Sequence, residues 1–293
     1  MSRRVPRRAV GRWARGPLDV AGAAFDLVHS LVGQARAEGG FSLDLDAIGP
    51  LSVQVDNGAG AVRVQGGPEE RVVVEARVVA TAGSEDDAHD VVSDVAADPP
   101  VRLEDGALLV GRYVHWWPGV SISYDITVPR SSALEGHTGS GALTVEGIAG
   151  PVEIETGSGA VTVDDVAGRV RAETGSGRVK ARSIGGRLLL STGSGAIKVS
   201  DVDGDVDATT GSGAIKVDGC VAAVRLTTGS GAIDLRLGND SGYALDATTG
   251  SGRIAVSHDL DDATVTKRSL RGTWRGGGRD IVLRTRSGRS SVT

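Results

Sequence analysis

Hydrophobic residues recur two positions apart along residues 143–256, in pairs separated by short polar or glycine-rich stretches. One pair opens each unit of the pattern, as at Val161 and Val163, and a second pair closes it, as at Val170 and Ala172. Because successive side chains of a strand point to opposite faces, a period of two is typical of strands with one buried face. The pattern therefore predicts two short strands in each unit.

A tetrapeptide, Thr-Gly-Ser-Gly, precedes the first strand of every unit. Its copies begin at Thr138, Thr156, Thr174, Thr192, Thr210, Thr228 and Thr249. The first six copies are 18 residues apart, and a constant period of this length is typical of a solenoid. A unit of this size cannot bury its apolar face alone, so neighbouring units must stack. The sequence therefore predicts an all-β fold, a single-chain β-solenoid or β-helix of 18-residue coils.

A further column of apolar residues lies near the middle of each unit. It contains Ile148, Val166, Ile184, Val202 and Cys220. In the first four of these units a glycine follows two residues later, which suits a corner of the backbone. Since the columns mix large and small residues, we expect a narrow interior filled by side chains. Cys220 is accordingly predicted to be a core residue and not a reactive thiol.

The N-terminal region differs from the repeats in charge. Residues 1–36 hold seven arginines against two aspartates, whereas the whole chain has a net charge of −5. Apolar residues within Pro17–Ala37 recur at helical spacing, which predicts an amphipathic helix ended by Gly39-Gly40. No stretch has the length of a transmembrane helix or the apolar core of a secretory signal. These features favour a cytoplasmic protein, located in one interpretation at the inner face of the membrane.

Two interpretations of the N-terminal segment stay open. In the first, the helix covers the N-terminal end of the solenoid and protects its strand edges. In the second, the arginines and a tryptophan rest on an anionic membrane or another acidic partner. The contact residues in that case are Arg3, Arg4, Arg7, Arg8, Arg12, Trp13 and Arg15.

Four regions follow from these patterns. They are a basic arm with its helix (1–40), a divergent first coil with an α/β excursion of strands and a helix (41–136), the regular solenoid (137–258), and degenerate C-terminal coils with a basic cap (259–293). In the second region, residues 51–66 are predicted to form the first coil. A helix is predicted over Ser84–Ala97, with its first residue as the N-cap.

In the last region, a Thr-Arg-Ser-Gly sequence at Thr285 follows Thr249 by 36 residues, twice the period. The stretch Val265–Trp274 is therefore predicted to be a degenerate coil between two others. This end of the chain is basic, with Lys267, Arg268, Arg271, Arg275, Arg279, Arg284, Arg286 and Arg289. These charges form either a solvated cap or a contact with an acidic partner or phosphate.

The repeated Gly-Ser-Gly sequence does not predict a catalytic serine. A nucleophile elbow needs Gly-x-Ser-x-Gly between a strand and a helix, together with histidine and acidic partners. A phosphate-binding loop needs a lysine and a helix after the glycines, whereas each tetrapeptide here opens a strand. We predict structural corner residues whose side chains satisfy backbone groups. They are Thr138, Ser140, Thr156, Ser158, Thr174, Ser176, Thr192, Ser194, Thr210, Ser212, Thr228, Ser230, Thr249 and Ser251.

Metal chemistry has weak support in the sequence. Several aspartates fall at one turn of successive coils, namely Asp164, Asp165, Asp201, Asp203, Asp205 and Asp218. The nonapeptide of calcium-binding β-rolls is absent, and no histidine and cysteine set has zinc spacing. The turn is therefore predicted to be a solvated acidic edge. We predict no catalytic residue, no metal and no cofactor.

The strand Ser123–Pro129, followed by repeats of Thr-Gly-Ser-Gly-Ala-Ile-x-Val, resembles the bacterial family of β-strand-repeat proteins called DUF4097, whose members are described as candidate adhesins. The resemblance covers about residues 50–290. It implies a β-solenoid without known catalytic residues, often in proteins linked to the cell envelope.

We therefore expect a non-catalytic structural and interaction β-solenoid that presents its faces to a protein or cell-envelope partner. One alternative is a bactofilin-like scaffold that polymerises end to end. Another is a carbohydrate-binding or polysaccharide-acting β-helix, which would need aromatic residues clustered in a groove. The expected partners are a protein or envelope component and an anionic membrane, with no specific nucleic acid. The chain is expected to be a monomer or an end-to-end oligomer.

Overall fold

The computed structural model of the 293-residue chain describes residues 35–111, 119–237 and 242–293. In chain order its strands are β1 Ala35–Asp46, β2 Ser52–Asn57, β3 Val62–Gly67, β4 Arg71–Ala82, β5 Val101–Glu104, β6 Ala107–Val110, β7 Val120–Pro129, β8 Ala133–Thr138, β9 Leu143–Ile148, β10 Val152–Thr156, β11 Val161–Val166, β12 Val170–Thr174, β13 Val179–Ile184, β14 Leu188–Thr192, β15 Ile197–Val202, β16 Val206–Thr210, β17 Ile215–Cys220, β18 Val224–Ser230, β19 Ile233–Leu237, β20 Tyr243–Ser251, β21 Ile254–Val256, β22 Asp261–Val265, β23 Ser269–Trp274, β24 Arg279–Ser287 and β25 Ser290–Val292. One helix, α1, spans Glu85–Ala97.

The strands form two long sheets whose inward side chains share one core. Sheet A has the spatial order β1-β4-β7-β3-β9-β11-β13-β15-β17-β19-β25-β21. Sheet B has the order β22-β23-β20-β24-β18-β16-β14-β12-β10-β8-β2-β6-β5. Most of the core side chains are aliphatic, as the alternating pattern requires.

From β8 to β19 the chain passes alternately between sheet B and sheet A. Each strand pairs in parallel with the corresponding strand of the next unit, so that Val161 lies opposite Val179 and Val170 opposite Leu188. The inward residues are fully buried, with Leu188 and Val179 at 0% exposure. Side chains and not solvent therefore fill the interior. The prediction of an all-β, solenoid-like repeat is confirmed.

The N-terminal end of the stack is covered by a helix that the chain supplies after the first coil. Sheet A continues beyond β3 with β7, β4 and β1, of which β4 pairs antiparallel with both neighbours. Helix α1 packs on β1 and β4 through Ala88, Val92 and Val95. Its N-cap is Ser84, whose hydroxyl accepts a hydrogen bond from the Asp87 backbone N–H at 3.1 Å. The prediction of a capped helix here is confirmed.

The predicted end of the N-terminal helix is wrong. Residues 35–40 belong to β1, which pairs antiparallel with β4 along its whole length. Cross-strand pairing overrides the helical spacing here, and Ala37 and Phe41 alternate towards the core as strand residues. Gly39 lies inside β1 and does not end a helix. Its lack of a side chain makes room for α1, because a Cβ atom at this position would clash with the Val92 side chain. Residues 17–34, and with them most of the predicted helix, lie outside the described residues.

The C-terminal region also differs from its prediction. Residues 265–274 do not form a degenerate coil, because β22 and β23 are an antiparallel hairpin that pairs with β20. The chain then turns back, and β24 lies between β18 and β20 while β25 lies between β19 and β21. The sequence period could not show this arrangement, because Thr285 fits the repeat equally well on either side of Thr249. The segment that comes last in the sequence, β24 and β25, is therefore the rung before the last one in space.

An aromatic cluster closes the C-terminal end of the core. The His258 ring stacks on Trp274 with centroids 4.3 Å apart, and the Tyr243 and Trp274 centroids are 5.5 Å apart. The Tyr243 hydroxyl lies 2.9 Å from His258 Nδ1. Together with the half-buried Leu260 and Leu270, this cluster covers side chains that the last rung would otherwise expose.

Candidate interaction surfaces

The threonines of the tetrapeptide form a buried ladder at one corner of the stack. Thr192 is 3% exposed, and its hydroxyl donates to the Gly177 carbonyl oxygen at 3.1 Å. Thr192 Oγ1 also accepts a hydrogen bond from the Gly195 backbone N–H at 3.0 Å. Equivalent pairs of bonds occur at Thr156, Thr174 and Thr210. Each of these threonines therefore joins two successive corners through backbone groups that are shielded from water.

The ladder is incomplete at the last two rungs. The hydroxyls of Thr249 and Thr285 are buried and have no hydrogen-bond partner among the described residues. The register explains where the break occurs, because Thr285 lies between Thr228 and Thr249. The inserted segment therefore keeps backbone hydrogen bonds at the corner, such as that from the Gly288 N–H to the Ser251 carbonyl oxygen at 3.2 Å, but lacks those of the threonine hydroxyl.

The serines of the tetrapeptide lie on the outside of the same corner and do not join the ladder. The exposed serines are Ser140, Ser158, Ser176, Ser194, Ser212, Ser230 and Ser251. Among the described residues, the one hydrogen bond of their side chains joins Ser287 and Ser230 at 3.3 Å. The structure thus separates the two residue types that the sequence placed in one role. The threonine side chains point inward, and all of them except Thr249 form hydrogen bonds, whereas the serines line a solvent-exposed edge.

The outer faces of the two sheets are charged, but most of their charges are paired across neighbouring rungs. On sheet B, Arg171 lies 3.5 Å from Glu153, and Arg225 lies 3.5 Å from Asp207. On sheet A, Arg182 bonds to Asp164 and holds the pKa of that carboxyl below its usual value. Exposed pairs of this kind contribute little stability, about 0.2–1 kcal/mol each. Their main consequence is that these faces carry little net charge.

The C-terminal basic corner concentrates cations that lack such pairs, although Arg169, Arg178, Lys180, Arg187 and Lys198 of the regular rungs are also exposed and have no ion pair among the described residues. We use this name for six exposed cations on the last three rungs: Arg253, Lys267, Arg268, Arg284, Arg286 and Arg289. The register brings them together, because Arg284 is aligned with Thr248 and the Arg268 carbonyl accepts from the Thr249 backbone N–H at 2.9 Å. Among the described residues, their one ion pair is a 4.0 Å contact from Arg289 to Asp234.

The sequence shows these basic residues but not their concentration at one corner. Arg253 and Arg289 are 36 positions apart, and they become neighbours because Ser290 donates its backbone N–H to the Arg253 carbonyl at 2.9 Å. In the regular rungs the equivalent corner carries glycine, serine and mostly alanine. The insertion of the last segment therefore produces the corner's charge.

The acidic turn forms a shallow, open depression on sheet A. Asp165, Asp201 and Asp203 line it together with Ser183. The backbone of Asp165, Ser183 and Asp201 is left-handed, with φ between 51° and 56°, and aspartate tolerates this conformation better than most residues. Among the described residues, no group of three or more His, Cys, Asp and Glu side chains is placed to hold a metal ion. The cation site weighed from the sequence gains no support.

Cys220 is fully buried in the apolar column where the sequence places it. Burial raises the pKa of its thiol, so the reactive thiolate is scarce at neutral pH. We expect Ellman's reagent to leave the native chain unlabelled over the time in which the urea-unfolded chain reacts completely. Rapid labelling of the native chain would show that this rung opens locally.

The predicted membrane-contact residues, Arg3 to Arg15, lie outside the described residues. Within the described part of the chain, no helix combines the length and the apolar character that crossing a membrane requires.

Comparison with known proteins identifies the repeat. Residues 121–293, more than half of the chain, match the family model described as Toastrack DUF4097. No protein with a curated function is detectably similar in sequence.

Three solved structures are similar to this chain. A candidate cell adhesion protein of Clostridium sporogenes is 11% identical, covers 88% of this chain and 98% of its own, and has a TM-score of 0.32. A candidate adhesin of Bacteroides fragilis is 11% identical, covers 88% and 96%, and has a TM-score of 0.43. A candidate adhesin of Parabacteroides distasonis is 10% identical, covers 88% and 97%, and has a TM-score of 0.34.

Proposed function

Because the chain belongs to the DUF4097 (Toastrack) family, we propose that it is a non-catalytic interaction β-solenoid, with each 18-residue unit as one coil. Its function is to hold a charged surface in a fixed geometry for a partner at the cell envelope. Stacked strands suit this role, because hydrogen bonds along both sheets and a filled core fix the backbone positions from which the exposed side chains project.

The observation that carries this proposal is the C-terminal basic corner. Six exposed cations with one long ion pair lie close together on the last rungs. Like charges on adjacent rungs repel each other, so their concentration lowers stability unless an anionic partner binds. The partner chemistry that fits is a phosphate-bearing surface such as the headgroups of anionic lipids, since arginine forks bind phosphate oxygens in pairs.

The two alternative functions have no observation in their favour. For end-to-end polymerisation, the end strands β1, β5, β21 and β22 each have one unpaired edge, but α1 packs on β1 and β4 at one end and the β22–β23 hairpin extends sheet B beyond β20 at the other, so the two ends do not repeat the regular rung. For sugar binding, exposed aromatic residues are needed. Among the described residues, Phe41, Tyr124 and Tyr243 are buried and Trp274 is half-buried.

Co-sedimentation of the full-length protein with lipid vesicles tests the proposal. We expect binding to vesicles that contain phosphatidylglycerol, no binding to pure phosphatidylcholine, and weaker binding at physiological than at low salt. A basic residue near an anionic membrane contributes about 1 kcal/mol. The triple substitution Arg253→Glu, Arg284→Glu and Arg286→Glu should therefore lower the partition coefficient by at least about a hundredfold.

The matched control reverses three cations on the outer face of sheet A, Lys180, Lys198 and Lys216, and should leave most of the binding intact. A further variant with Arg3, Arg4, Arg7 and Arg8 replaced by glutamine separates the N-terminal arm from the corner. Equal binding by the corner variant and the unaltered protein would contradict the proposal. If the arm variant alone lost binding, the contact would belong to the arm.

A further inference from the structure

The last segment of the chain occupies a slot between strands that precede it. Its strand β24 pairs on one side with β18, where Ile281 lies opposite Val224, and on the other with β20, where Ile281 lies opposite Leu245. Likewise β25 places Ser290 between Ile233 and Ile254. Without residues 279–293, β18, β20 and β19 would each have an unpaired edge on the side of the missing strand, and β21 would have no partner strand. We call this space the C-terminal slot.

The slot recognises its occupant through backbone pairing and three apolar side chains. Ile281, Leu283 and Val292 are 0% exposed, and the parallel ladders on both sides fix their register. All of these determinants lie within residues 279–293. A second copy of the chain carries the same segment, so it meets the same requirements as the chain's own C-terminus.

The connection to the segment is short and holds an unusual backbone. The four residues Arg275, Gly276, Gly277 and Gly278 join β23 to β24 with φ values of 52°, 74°, 85° and 142°. All four lie in the region that side-chain-bearing residues rarely adopt, and the first of them is an arginine. The three glycines adopt positive φ without strain, so the cost of the closed loop lies at Arg275 and is relieved when the loop extends. A short connection of this kind next to a separable element favours domain swapping.

The segment is also held less completely than the regular rungs. Arg279 Nε, Thr285 Oγ1 and Ser290 Oγ are buried without a hydrogen-bond partner among the described residues. By contrast, the threonine hydroxyls of the central rungs both donate and accept. Unpaired buried groups lower the free energy needed to remove a strand. At its corner the C-terminal segment is therefore held by fewer side-chain hydrogen bonds than a regular rung, although Arg279 Nη1 donates to the Cys220 carbonyl oxygen.

We propose that residues 279–293 exchange between two copies of the chain, each copy inserting its segment into the C-terminal slot of the other. The product is a closed, two-fold symmetric dimer in which every native contact of the segment is retained and loop 275–278 is extended. This proposal goes beyond the function proposed above and does not depend on it.

Single alanine substitutions in the loop test the exchange. Gly276 has φ of 74° and no atom within 4 Å of a built Cβ, and Gly277 has φ of 85° with its nearest atom 3.8 Å away. An alanine at either position should shift the equilibrium of that loop from closed towards extended by about a factor of ten, and it does so without a steric clash. Because a dimer opens two loops, the dimerisation constant should rise by about a hundredfold. Size-exclusion chromatography with light scattering on the full-length chain measures it.

Gly106→Ala is the matched control, since its φ is 77° and no atom lies within 4 Å of its Cβ position. It strains the β5–β6 turn, which is not exchanged, and should leave the dimerisation constant unchanged. The exchange is contradicted if the loop variants remain as monomeric as the control up to the highest soluble concentration. It is also contradicted if the control raises the dimer fraction to the same extent.

Mixed chains, each with Cys220→Ala and one introduced cysteine, show which strands are exchanged, even if a loop variant fails to fold. One chain carries Thr227→Cys and the other Arg284→Cys, two positions aligned across β18 and β24. After joint unfolding, refolding and mild oxidation, we expect a covalent heterodimer. The pair Leu189→Cys and Asp207→Cys, aligned across β14 and β16, should give none. Absence of the first heterodimer, or equal yields from both pairs, would overturn the proposal.

Discussion

Replacing Gly195 by alanine is expected to destabilise the protein by about 4 kcal/mol or more, because the corner has no room for a side chain. The new Cβ atom would overlap the Gly177 carbonyl oxygen, and it would lie 2.6 Å from the Gly177 carbonyl carbon and 2.9 Å from Thr192 Oγ1. Two of these are backbone atoms of the neighbouring rung, which pairs on its other side too, so neither can move without breaking the ladder. Urea unfolding followed by circular dichroism measures the loss.

A corner glycine with open space provides the control for this substitution. Gly58 lies in the corner of the first coil, and no atom is within 4 Å of its Cβ position. Gly58→Ala should therefore change the free energy of unfolding by less than about 0.5 kcal/mol. Similar losses at Gly58 and Gly195 would mean that the sequence needs glycine at these corners for its backbone flexibility and not for close stacking.

Thr192→Val is expected to cost about 2–4 kcal/mol, although the two side chains have nearly the same shape. The hydroxyl bonds to the Gly177 carbonyl at 3.1 Å and to the Gly195 N–H at 3.0 Å. Valine would leave both backbone groups buried and unpaired, at about 1–3 kcal/mol for each group. Urea unfolding of this variant beside the unaltered protein gives the difference directly.

The inserted rung supplies a control with the same substitution. Thr285 is buried, but its hydroxyl has no hydrogen-bond partner among the described residues. Valine at this position removes an unsatisfied polar group and breaks no bond, so Thr285→Val should be neutral or stabilising. If Thr285→Val cost as much as Thr192→Val, the hydrogen bonds of the ladder would not be the source of the loss.

The sequence predicts the regular part of the fold well because each rung repeats the same local rule. Alternation at Val161 and Val163 defines a strand, the constant spacing of Thr156 and Thr174 sets the register, and stacking follows from both. The two ends of the stack obey no such rule. Residues 35–37 have helical spacing but pair with β4, because an unpaired sheet edge gains more from a strand than from a helix.

The candidate site was harder to predict than the fold for a related reason. The periodicity identifies Thr285 as a corner residue but does not show which two rungs lie on either side of it. Any strand with the same alternation of buried and exposed residues can pair with any rung. The charge of the basic corner depends on that order. The sequence also groups the threonines and serines of the tetrapeptide together, whereas the backbone turns Thr192 inward and Ser194 outward.

The position of the last segment is the claim on which the basic corner and the strand exchange both rest, and a cross-link within one chain tests it most directly. Thr227 and Arg284 are aligned on adjacent strands, whereas Thr227 and Thr248 lie on either side of β24. Adjacent strands are about 4.8 Å apart, within the span of a disulfide, and strands two rungs apart are not. We expect the double variant Thr227→Cys, Arg284→Cys to form an intrachain disulfide in the monomer on mild oxidation, and Thr227→Cys, Thr248→Cys to form none. The reverse result, a cross-link between 227 and 248 alone, would show that the coils stack in chain order and that β24 does not lie between β18 and β20.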